Sequence, residues 1–228
     1  MLKKSSGNMY PWVTHTWSIL AGECPHRCTY CYVRSLQRRF KQTRYSGPLR
    51  LVDDDFVPLG HGRTIFVEHM SDLWSAHVPN SIIRRVLWHC RDNPHNTYVF
   101  QTKNPARYLD WLTMIPPYSL LGTTLETNRH YEQIMGSAPS PRHRAVAMSR
   151  LPRDIKTFVT IEPIHDFDRF PLIQFIDAIR PTFINIGADS KGHNLPEPSA
   201  NKIRELITYL RLNKIEVRRK TNLSRLLK

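Results

Sequence analysis

The fold is decided by the stretch Glu23-Cys24-Pro25-His26-Arg27-Cys28-Thr29-Tyr30-Cys31-Tyr32. Three of the chain's four cysteines fall within eight residues here, in the spacing Cys-x3-Cys-x2-Cys. A disulfide would pair two of these thiols and strand the third, so the spacing indicates ligands of a metal centre. The identity of that centre decides how the rest of the chain is interpreted.

Three cysteine ligands suit either of two centres. On a cuboidal [4Fe–4S] cluster they would satisfy three irons and leave the fourth without a cysteine. An open metal position distinguishes a reactive site from a closed structural one. The alternative is a structural zinc site completed by His26, His69 or the distant Cys90. The spacing favours the cluster.

The cysteine stretch resembles the signature of the radical SAM superfamily, Cys-x3-Cys-x-aromatic-Cys, with Tyr30 at the aromatic position. The resemblance implies that Cys24, Cys28 and Cys31 hold a [4Fe–4S] cluster and that its open iron binds S-adenosylmethionine (SAM). It also implies that the backbone beside Tyr30 contacts adenine and that the reduced cluster cleaves SAM to a 5′-deoxyadenosyl radical. An external donor of the flavodoxin or ferredoxin type would supply the electron.

Length and composition are typical of one globular domain. The chain has 228 residues, enough for its own core. No apolar run approaches the roughly 20 residues that a membrane helix needs. The basic N-terminus leads into Pro11, Trp12 and His15 rather than into an apolar signal core. With clustered free thiols and no export signal, we expect a single domain over residues 1–228 in a reducing cytoplasm.

The charge balance is strongly basic. The chain has 33 Lys and Arg against 19 Asp and Glu, a net charge of +14. A field of that sign favours phosphate backbones, so we expect DNA or RNA as a partner through a basic surface. The alternative is a merely soluble surface. The basic residues concentrate in Arg34–Arg44, Arg142–Arg153 and Arg211–Lys228.

Hydrophobic patterning predicts six strands separated mostly by helices, which is typical of a parallel α/β fold. The predicted strands are Thr14–Leu20, Thr64–Val67, Thr97–Phe100, Ser119–Leu125, Thr157–Ile161 and Thr182–Ile186. The predicted helices are Tyr32–Lys41, Asn80–Asp92, one ending at Met114, Arg144–Arg150, Ile173–Ile179 and Ala200–Leu212. Residues 42–62 are expected to be irregular, and 213–228 to form a basic tail.

A compact polar cluster follows each predicted strand. In a parallel barrel all strand C-termini open on one rim, where ligands bind. The layout is similar to the partial (β/α)6 barrel of radical SAM enzymes, and the resemblance covers about residues 14–212. The motifs Met70-Ser71-Asp72, Gln101-Thr102-Lys103, Glu126-Thr127-Asn128, Glu162-Pro163 and Gly187-Ala188-Asp189-Ser190 also look like a branch of small radical SAM proteins. Many of that branch are encoded by phages and prophages and are distantly related to spore photoproduct lyase.

The resemblance assigns SAM contacts by position. The loop after strand two, Gly-Gly-Glu in the superfamily, holds the methionine amino group. Here the glycines are absent, and Ser71 or Asp72 is preferred over Glu68 for this role. Thr102 and Lys103 are expected to meet the methionine carboxylate.

Four further residues complete the expected site. Glu126 or Asn128, after strand four, fits the ribose hydroxyls. Glu162 and Asp189 would complete the pocket or face the substrate. For each of these residues singly, an ordinary structural hydrogen bond is the alternative. No catalytic residue is selected by the sequence.

Charge and resemblance together favour a radical enzyme that modifies or repairs a nucleic-acid base. Thymine-dimer repair is in doubt, because the lyase returns hydrogen through a cysteine beyond the cluster loop, and Cys90 is expected in the core. Tyr108, Tyr118 and Tyr131 are candidate relays, with nothing to choose among them. The alternatives are the same chemistry on a peptide or small metabolite, and a non-enzymatic, metal-stabilised nucleic-acid-binding module.

Overall fold

One eight-stranded sheet organises the chain in the computed structural model, which describes residues 1–228. Its strand order is β1-β2-β5-β6-β7-β8-β9-β10, and every neighbouring pair is parallel except β1 and β2. A second sheet pairs only β3 and β4. The strands are β1 (Leu2–Lys4), β2 (His15–Trp17), β3 (Leu20–Ala21), β4 (Arg50–Leu51), β5 (Thr64–Val67), β6 (Thr97–Thr102), β7 (Ser119–Thr124), β8 (Thr157–Ile161), β9 (Phe183–Ile186) and β10 (Glu216–Arg219).

Helices connect the parallel strands. They are α1 (Tyr32–Phe40), α2 (Asn80–Arg91), α3 (Glu132–Met135), α4 (Pro141–Ser149), α5 (Arg169–Ile179) and α6 (Ala200–Leu212). Three 3₁₀ helices cover Asp53–Asp55, Pro105–Trp111 and Thr221–Leu226. The amphipathic face of α2 buries Ile83, Val86, Leu87 and Cys90, so the core position predicted for Cys90 is confirmed.

The predicted parallel α/β fold is confirmed, and all six predicted strands are present. The structure adds β1 at one edge of the sheet and β10 at the other. The helix predicted to end at Met114 is wrong in type: residues 105–111 form a 3₁₀ helix. Its buried side chains, Pro105, Tyr108 and Trp111, recur every third residue, which is the period of that helix.

The two faces of the main sheet bury different clusters. The outer face packs against the helices in a cluster of 38 buried residues. The inner face holds a smaller cluster that includes Phe66, Phe158 and Phe183. The alternation of side chains along each strand separates the two sets.

The segment 8–13 lies along the inner face. Trp12 packs edge-on against the rings of Phe158 and Phe183, near the amino ends of β8 and β9. Tyr10 reaches further up the strands and hydrogen-bonds Thr160 at 2.8 Å. The chain's own N-terminal residues therefore fill this part of the sheet. None of the helices has the length and apolar character that crossing a membrane requires.

Candidate functional site

The cysteine loop, residues 24–31, lies at the carboxyl ends of the strands and leads directly into α1. Its three cysteines are free thiols, with Cys28 buried and Cys24 and Cys31 half-buried. Burial, and after it the neighbouring Asp72, Cys31 and Cys28, raise the pKa of the Cys24 thiol to about 12. The loop thus carries three free thiols, each at least half-buried, at one end of the sheet.

A clamp formed by residues 131–137 holds the loop from one side. The Thr29 amide donates to the Ile134 carbonyl at 2.9 Å, and the Ser137 amide donates to the His26 carbonyl at 2.9 Å. Between these contacts Gly136 has a φ of +60°. A Cβ at Gly136 would overlap the His26 carbonyl oxygen, so only glycine fits this position.

Asp72 ties the other side of the loop to the sheet. One of its oxygens, Oδ2, lies 2.8 Å from Nε2 of His26 and also accepts from the Lys103 amide at 2.9 Å. Thr102 Oγ1 donates to the carboxylate at 2.7 Å, and the Trp74 amide donates at 3.0 Å. Burial alone would raise the pKa of Asp72, but the His26 contact and these hydrogen bonds hold it below its usual range.

Glu126 forms a second buried anchor. It pairs with Lys103, and its Oε2 lies 2.8 Å from Nη1 of Arg144. The Tyr30 hydroxyl donates to its other oxygen. The side chains of Glu126 and Arg144 are both 0% exposed. Burial works to raise the pKa of Glu126, but the charges of Arg144 and Lys103 hold it well below its usual range.

These two anchors share Lys103. Its backbone amide donates a hydrogen bond to Asp72. Its ammonium group pairs with Glu126 and lies 5.1 Å from the centre of the Tyr30 ring. The structure therefore brings together five predicted site residues: Tyr30, Asp72, Thr102, Lys103 and Glu126.

Buried polar atoms without partners mark the rim beside these anchors. Glu68 Oε2 accepts from the amides of Ile19 and Leu20, but Oε1 has no partner. Ser71 Oγ is likewise buried and unpaired, and so are both ring nitrogens of His165. Since buried polar groups nearly always have a partner, these atoms point to ligand contacts.

Asp72 and Glu68, both in the loop after β5, differ in how many of their oxygens already have partners. Asp72 already accepts hydrogen bonds from three neighbouring chain segments, whereas Glu68 has a free oxygen. Burial raises the pKa of Glu68 to about 7 despite the two backbone donors. Ser71, the other preferred residue, keeps a free hydroxyl.

Three predicted residues lie in other contacts of the rim. Asn128 accepts from the Asp168 amide at 2.7 Å, at the N-terminus of α5. Glu162 Oε2 pairs with Lys220 at 2.9 Å. Asp189 accepts from the His193 ring at 2.8 Å. These contacts place them apart from the hydrogen-bond network of Asp72 and Glu126.

Asp189 lines a polar cavity of about 630 Å³ beyond β9. The cavity also contacts Glu197, Asn222 and Arg225 from the loop after β9 and the last 3₁₀ helix. Arg225 pairs with Glu197, so these two of the three charges in its wall offset one another.

No group of three or more His, Cys, Asp or Glu side chains lies close enough together in this structure to hold a metal ion. The residues weighed as a fourth zinc ligand are engaged elsewhere. His26 contacts Asp72, His69 Nδ1 lies 2.9 Å from Ser18 Oγ, and Cys90 is in the helix-side core. The donor set itself, three unbridged thiols on one loop, suits an iron–sulfur cluster.

The candidate hydrogen relays differ in position. Tyr108 is buried in the outer core, where its hydroxyl donates to the Gly122 carbonyl. Tyr118 is exposed at the surface. Tyr131 alone approaches the site, with its ring centre 5.9 Å from that of His165.

The sequence gives little signal for several site residues. Arg144 belongs to the basic stretch Arg142–Arg153, and Gly136 and His165 belong to no motif. His165 lies four residues beyond β8, between the rings of Tyr30 and Tyr131. Burial lowers its pKa to about 4, so the ring is neutral near pH 7. Its position after Glu162-Pro163 on a strand end was the one available signal.

Comparison with protein families matches residues 8–165 to "Protein of unknown function (DUF5131)". The chain belongs to this family. A search of curated proteins finds no match.

Solved structures share the fold at low sequence identity. A spore photoproduct lyase mutant superposes with a TM-score of 0.65 and 10% identity over 95% of this chain and 79% of that one. A spore photoproduct lyase mutant with bound AdoMet and dinucleoside spore photoproduct gives 0.60 and 12%, over 89% of this chain and 63% of that one. Streptococcus suis SuiB bound to S-adenosylmethionine gives 0.52 and 12%, over 90% and 45%.

The chain thus spans between 45% and 79% of the length of these proteins. The likeness to spore photoproduct lyase and SuiB confirms, at the level of the fold, the resemblance predicted from the cysteine signature. The sheet is the partial parallel barrel that the sequence predicted, extended by β10.

The Gly136 clamp predicts a specific steric effect. Gly136→Ala should lower the free energy of unfolding by about 3 kcal/mol in a urea titration, since the new methyl group overlaps the His26 carbonyl and must displace the loop. Gly47→Ala is the control, because its φ is +75° but nothing lies within 4 Å of the added carbon. It should cost only the backbone strain, about 1 kcal/mol. Equal effects would contradict the clamp.

The Glu126 anchor predicts the cost of an uncompensated charge. Glu126→Gln should destabilise the protein by about 3 kcal/mol, because Arg144 stays buried without its carboxylate. Chemical denaturation measures the change. Glu205→Gln, at an exposed pair with Arg169, should change stability by less than about 1 kcal/mol. A Glu126 variant as stable as this control would show that the pair adds nothing.

Glu68 predicts a pH dependence of stability in the ligand-free protein. Its folded pKa of about 7 lies above the ordinary value of 4.5, so the unfolded chain ionises first. Stability should therefore rise by about 2–3 kcal/mol as pH falls from 7 towards 4.5, relative to Glu68→Gln. Thermal unfolding of both proteins across this range provides the measurement. Parallel pH profiles would rule out the shift.

Proposed function

We propose that the protein is a radical SAM enzyme that acts on a nucleic-acid base. Cys24, Cys28 and Cys31 would hold a [4Fe–4S] cluster, and an external flavodoxin- or ferredoxin-type donor would reduce it. The observation that carries the proposal is the signature-spaced trio of unbridged cysteines, seated at the strand ends of a radical SAM fold.

The unpaired atoms of the rim support a SAM site beside the cysteines. An ammonium group is a hydrogen-bond donor, and Glu68 Oε1 and Ser71 Oγ are buried atoms able to accept from it. An ammonium group beside Glu68 would offset the cost of burying its carboxylate, which is the cost that raises the pKa of Glu68. We therefore assign the methionine amino group to Glu68 and Ser71, with Asp72 orienting the cysteine loop.

Lys103 is the residue best placed for the methionine carboxylate. It is partly exposed, at 17%, and lies between Tyr30 and Glu126. Thr102 contributes by holding Asp72 rather than by a free hydroxyl, because its Oγ1 donates to Asp72 and accepts from the Asn104 amide. The charge of Arg144 lowers the pKa of Glu126 more than the charge of Lys103 does, so the lysine lies beside a carboxylate that already has a buried partner and could also bind a second anion.

The remaining predicted contacts are assigned by position on the rim. Asn128 and Glu126 follow β7, where the ribose is expected, and the backbone beside Tyr30 would face adenine. His165 adds a neutral ring with two unpaired nitrogens next to Tyr30. Glu162 and Asp189 lie further along the rim, on the side where a substrate would enter.

When bound, the cluster and SAM would supply a 5′-deoxyadenosyl radical. The chain's own residues would bind the cluster and SAM, orient them and exclude water. Asp72 and the 131–137 clamp fix the cysteine loop from two sides. The buried side chains of Tyr30, Glu126 and Arg144 keep water away from the part of the loop that packs on the sheet. Positioning and exclusion of solvent are what a protein contributes to cofactor chemistry of this type.

The net charge of +14 favours a nucleic-acid substrate. Structures with this fold include a lyase complexed with dinucleoside spore photoproduct and SuiB bound to precursor peptide SuiA. Fold alone therefore does not choose between a nucleic acid and a peptide. Radical chemistry on a peptide is the second candidate, and the charge ranks it below the first.

Cys28→Ala tests the reaction class. Anaerobic reconstitution with iron and sulfide, then dithionite reduction with SAM, should give a brown wild-type protein that releases 5′-deoxyadenosine. The Cys28 variant should lose both properties, because one cluster ligand is missing. The control is Cys90→Ala, which removes a buried core thiol and should keep the chromophore and the product.

Two results would contradict the assignment to radical SAM chemistry. The first is 5′-deoxyadenosine release by the Cys28 variant at the wild-type rate. The second is a wild-type protein that, purified anaerobically, contains one equivalent of zinc and no iron. The second result would support a metal-stabilised binding module instead.

A further inference from the structure

A groove on the surface between α6 and β10 carries three arginines and no acidic residue. It has a volume of about 360 Å³ and is lined by Arg204, Ile207, Thr208, Arg211, Arg219 and Leu227. The lining comes from three separate segments: α6, β10 and the end of the chain. We propose that this groove binds the phosphodiester backbone of a nucleic acid, an inference that rests on the proposed function for its biological role.

The positions of the arginines follow from the packing of α6. This helix buries Ile203, Leu206, Ile207 and Leu210 against the sheet. Arg204 and Arg211 flank that apolar stripe, two turns apart, at a distance of roughly 10 Å along the axis. The groove can therefore contact more than one phosphate of a strand.

Strand alternation directs the third arginine into the same groove. Val217 packs against the outer core, whereas the Arg218 guanidinium lies over the ring of Phe183 on the inner face. Arg219 is two residues from Val217 and so shares its outward face, towards α6. Its register partner is Ile186, the last residue of β9, so Arg219 lies at the rim end of the sheet.

The charges in the groove are not neutralised within the protein. Neither Arg211 nor Arg219 has a side-chain hydrogen bond or an ion pair. Arg204 donates to Asn201 and to the Leu227 carbonyl, both neutral groups. The Thr208 hydroxyl donates to its own helix. By contrast, the neighbouring Arg225 is paired with Glu197.

The chemistry of the groove selects phosphate. A guanidinium presents a planar fork of donors that matches phosphate oxygens, and three of them without a carboxylate attract a polyanion. The open shape suits a strand that passes through, and the rim end of the groove directs that strand towards the proposed active site. The groove lies between α6 and β10, away from the cysteine loop. It would therefore hold the phosphodiester backbone of the nucleic acid rather than the reacting base.

The test compares two charge-matched double variants of the reconstituted full-length chain. Arg211→Gln/Arg219→Gln removes two groove charges, whereas Arg84→Gln/Arg91→Gln removes two exposed charges on α2. Arg204 is left intact because it holds the chain end. Binding of a fluorescent single-stranded DNA 12-mer, an RNA 12-mer of the same sequence and inorganic phosphate is measured at several salt concentrations.

The groove variant should bind the oligonucleotides about tenfold more weakly at 0.1 M salt, with a salt dependence shallower by about 1 to 1.5 in log–log slope. The control should lose much less affinity and keep the wild-type slope. The DNA and RNA arms report which nucleic acid is preferred. Thermal unfolding of each variant verifies that the fold is intact, and a folded groove variant is required for the comparison.

Three results would overturn the groove. They are equal losses in the two variants, a wild-type chain that binds neither oligonucleotide, and a groove variant that loses only binding to inorganic phosphate. The proposed function is judged separately, by 5′-deoxyadenosine release from the wild-type chain without nucleic acid. If release occurs but the variants do not differ, only the groove fails. If the groove binds nucleic acid but no release occurs, only the proposed function fails.

Discussion

The structure of the site depends on two buried carboxylates that follow β5 and β7, the strands on either side of β6. An ionised carboxylate in a dry environment is stable only when charges and hydrogen bonds replace its water. Asp72 obtains them from His26, Thr102 and backbone amides, and Glu126 obtains them from Arg144, Lys103 and Tyr30. Each carboxylate therefore fixes the positions of the chain segments that donate hydrogen bonds or positive charges to it.

One consequence is that the cysteine loop has little freedom of its own. His26 and Tyr30 lie within the loop, on either side of Cys28, and each is fixed to a different carboxylate. The 131–137 clamp adds backbone contacts from the opposite side. A loop that lacks regular secondary structure is thus positioned as firmly as the strands, which is what a site with defined geometry requires.

The architecture was predictable to a large extent because it depends on local patterns. Apolar strand runs such as Thr157–Ile161 and the amphipathic face of α2 leave direct signals in the sequence. The cysteine spacing is local too. The surroundings of the polar residues of the rim are not visible in the sequence: Asp72 and Glu68 are four residues apart, and only their three-dimensional partners show which one keeps a free oxygen. The same limit applies to Arg144, whose charge is read as surface until its buried partner Glu126 is known.

The N-terminal segment gives the molecule a further property. Asn8 lies by Glu162 at the rim, while Trp12 packs at the opposite ends of β8 and β9. This half of the inner face is therefore sealed from end to end by the chain itself. Because residues 8–13 cover the rings of Phe158 and Phe183, this half of the inner face is a packed layer rather than an open channel.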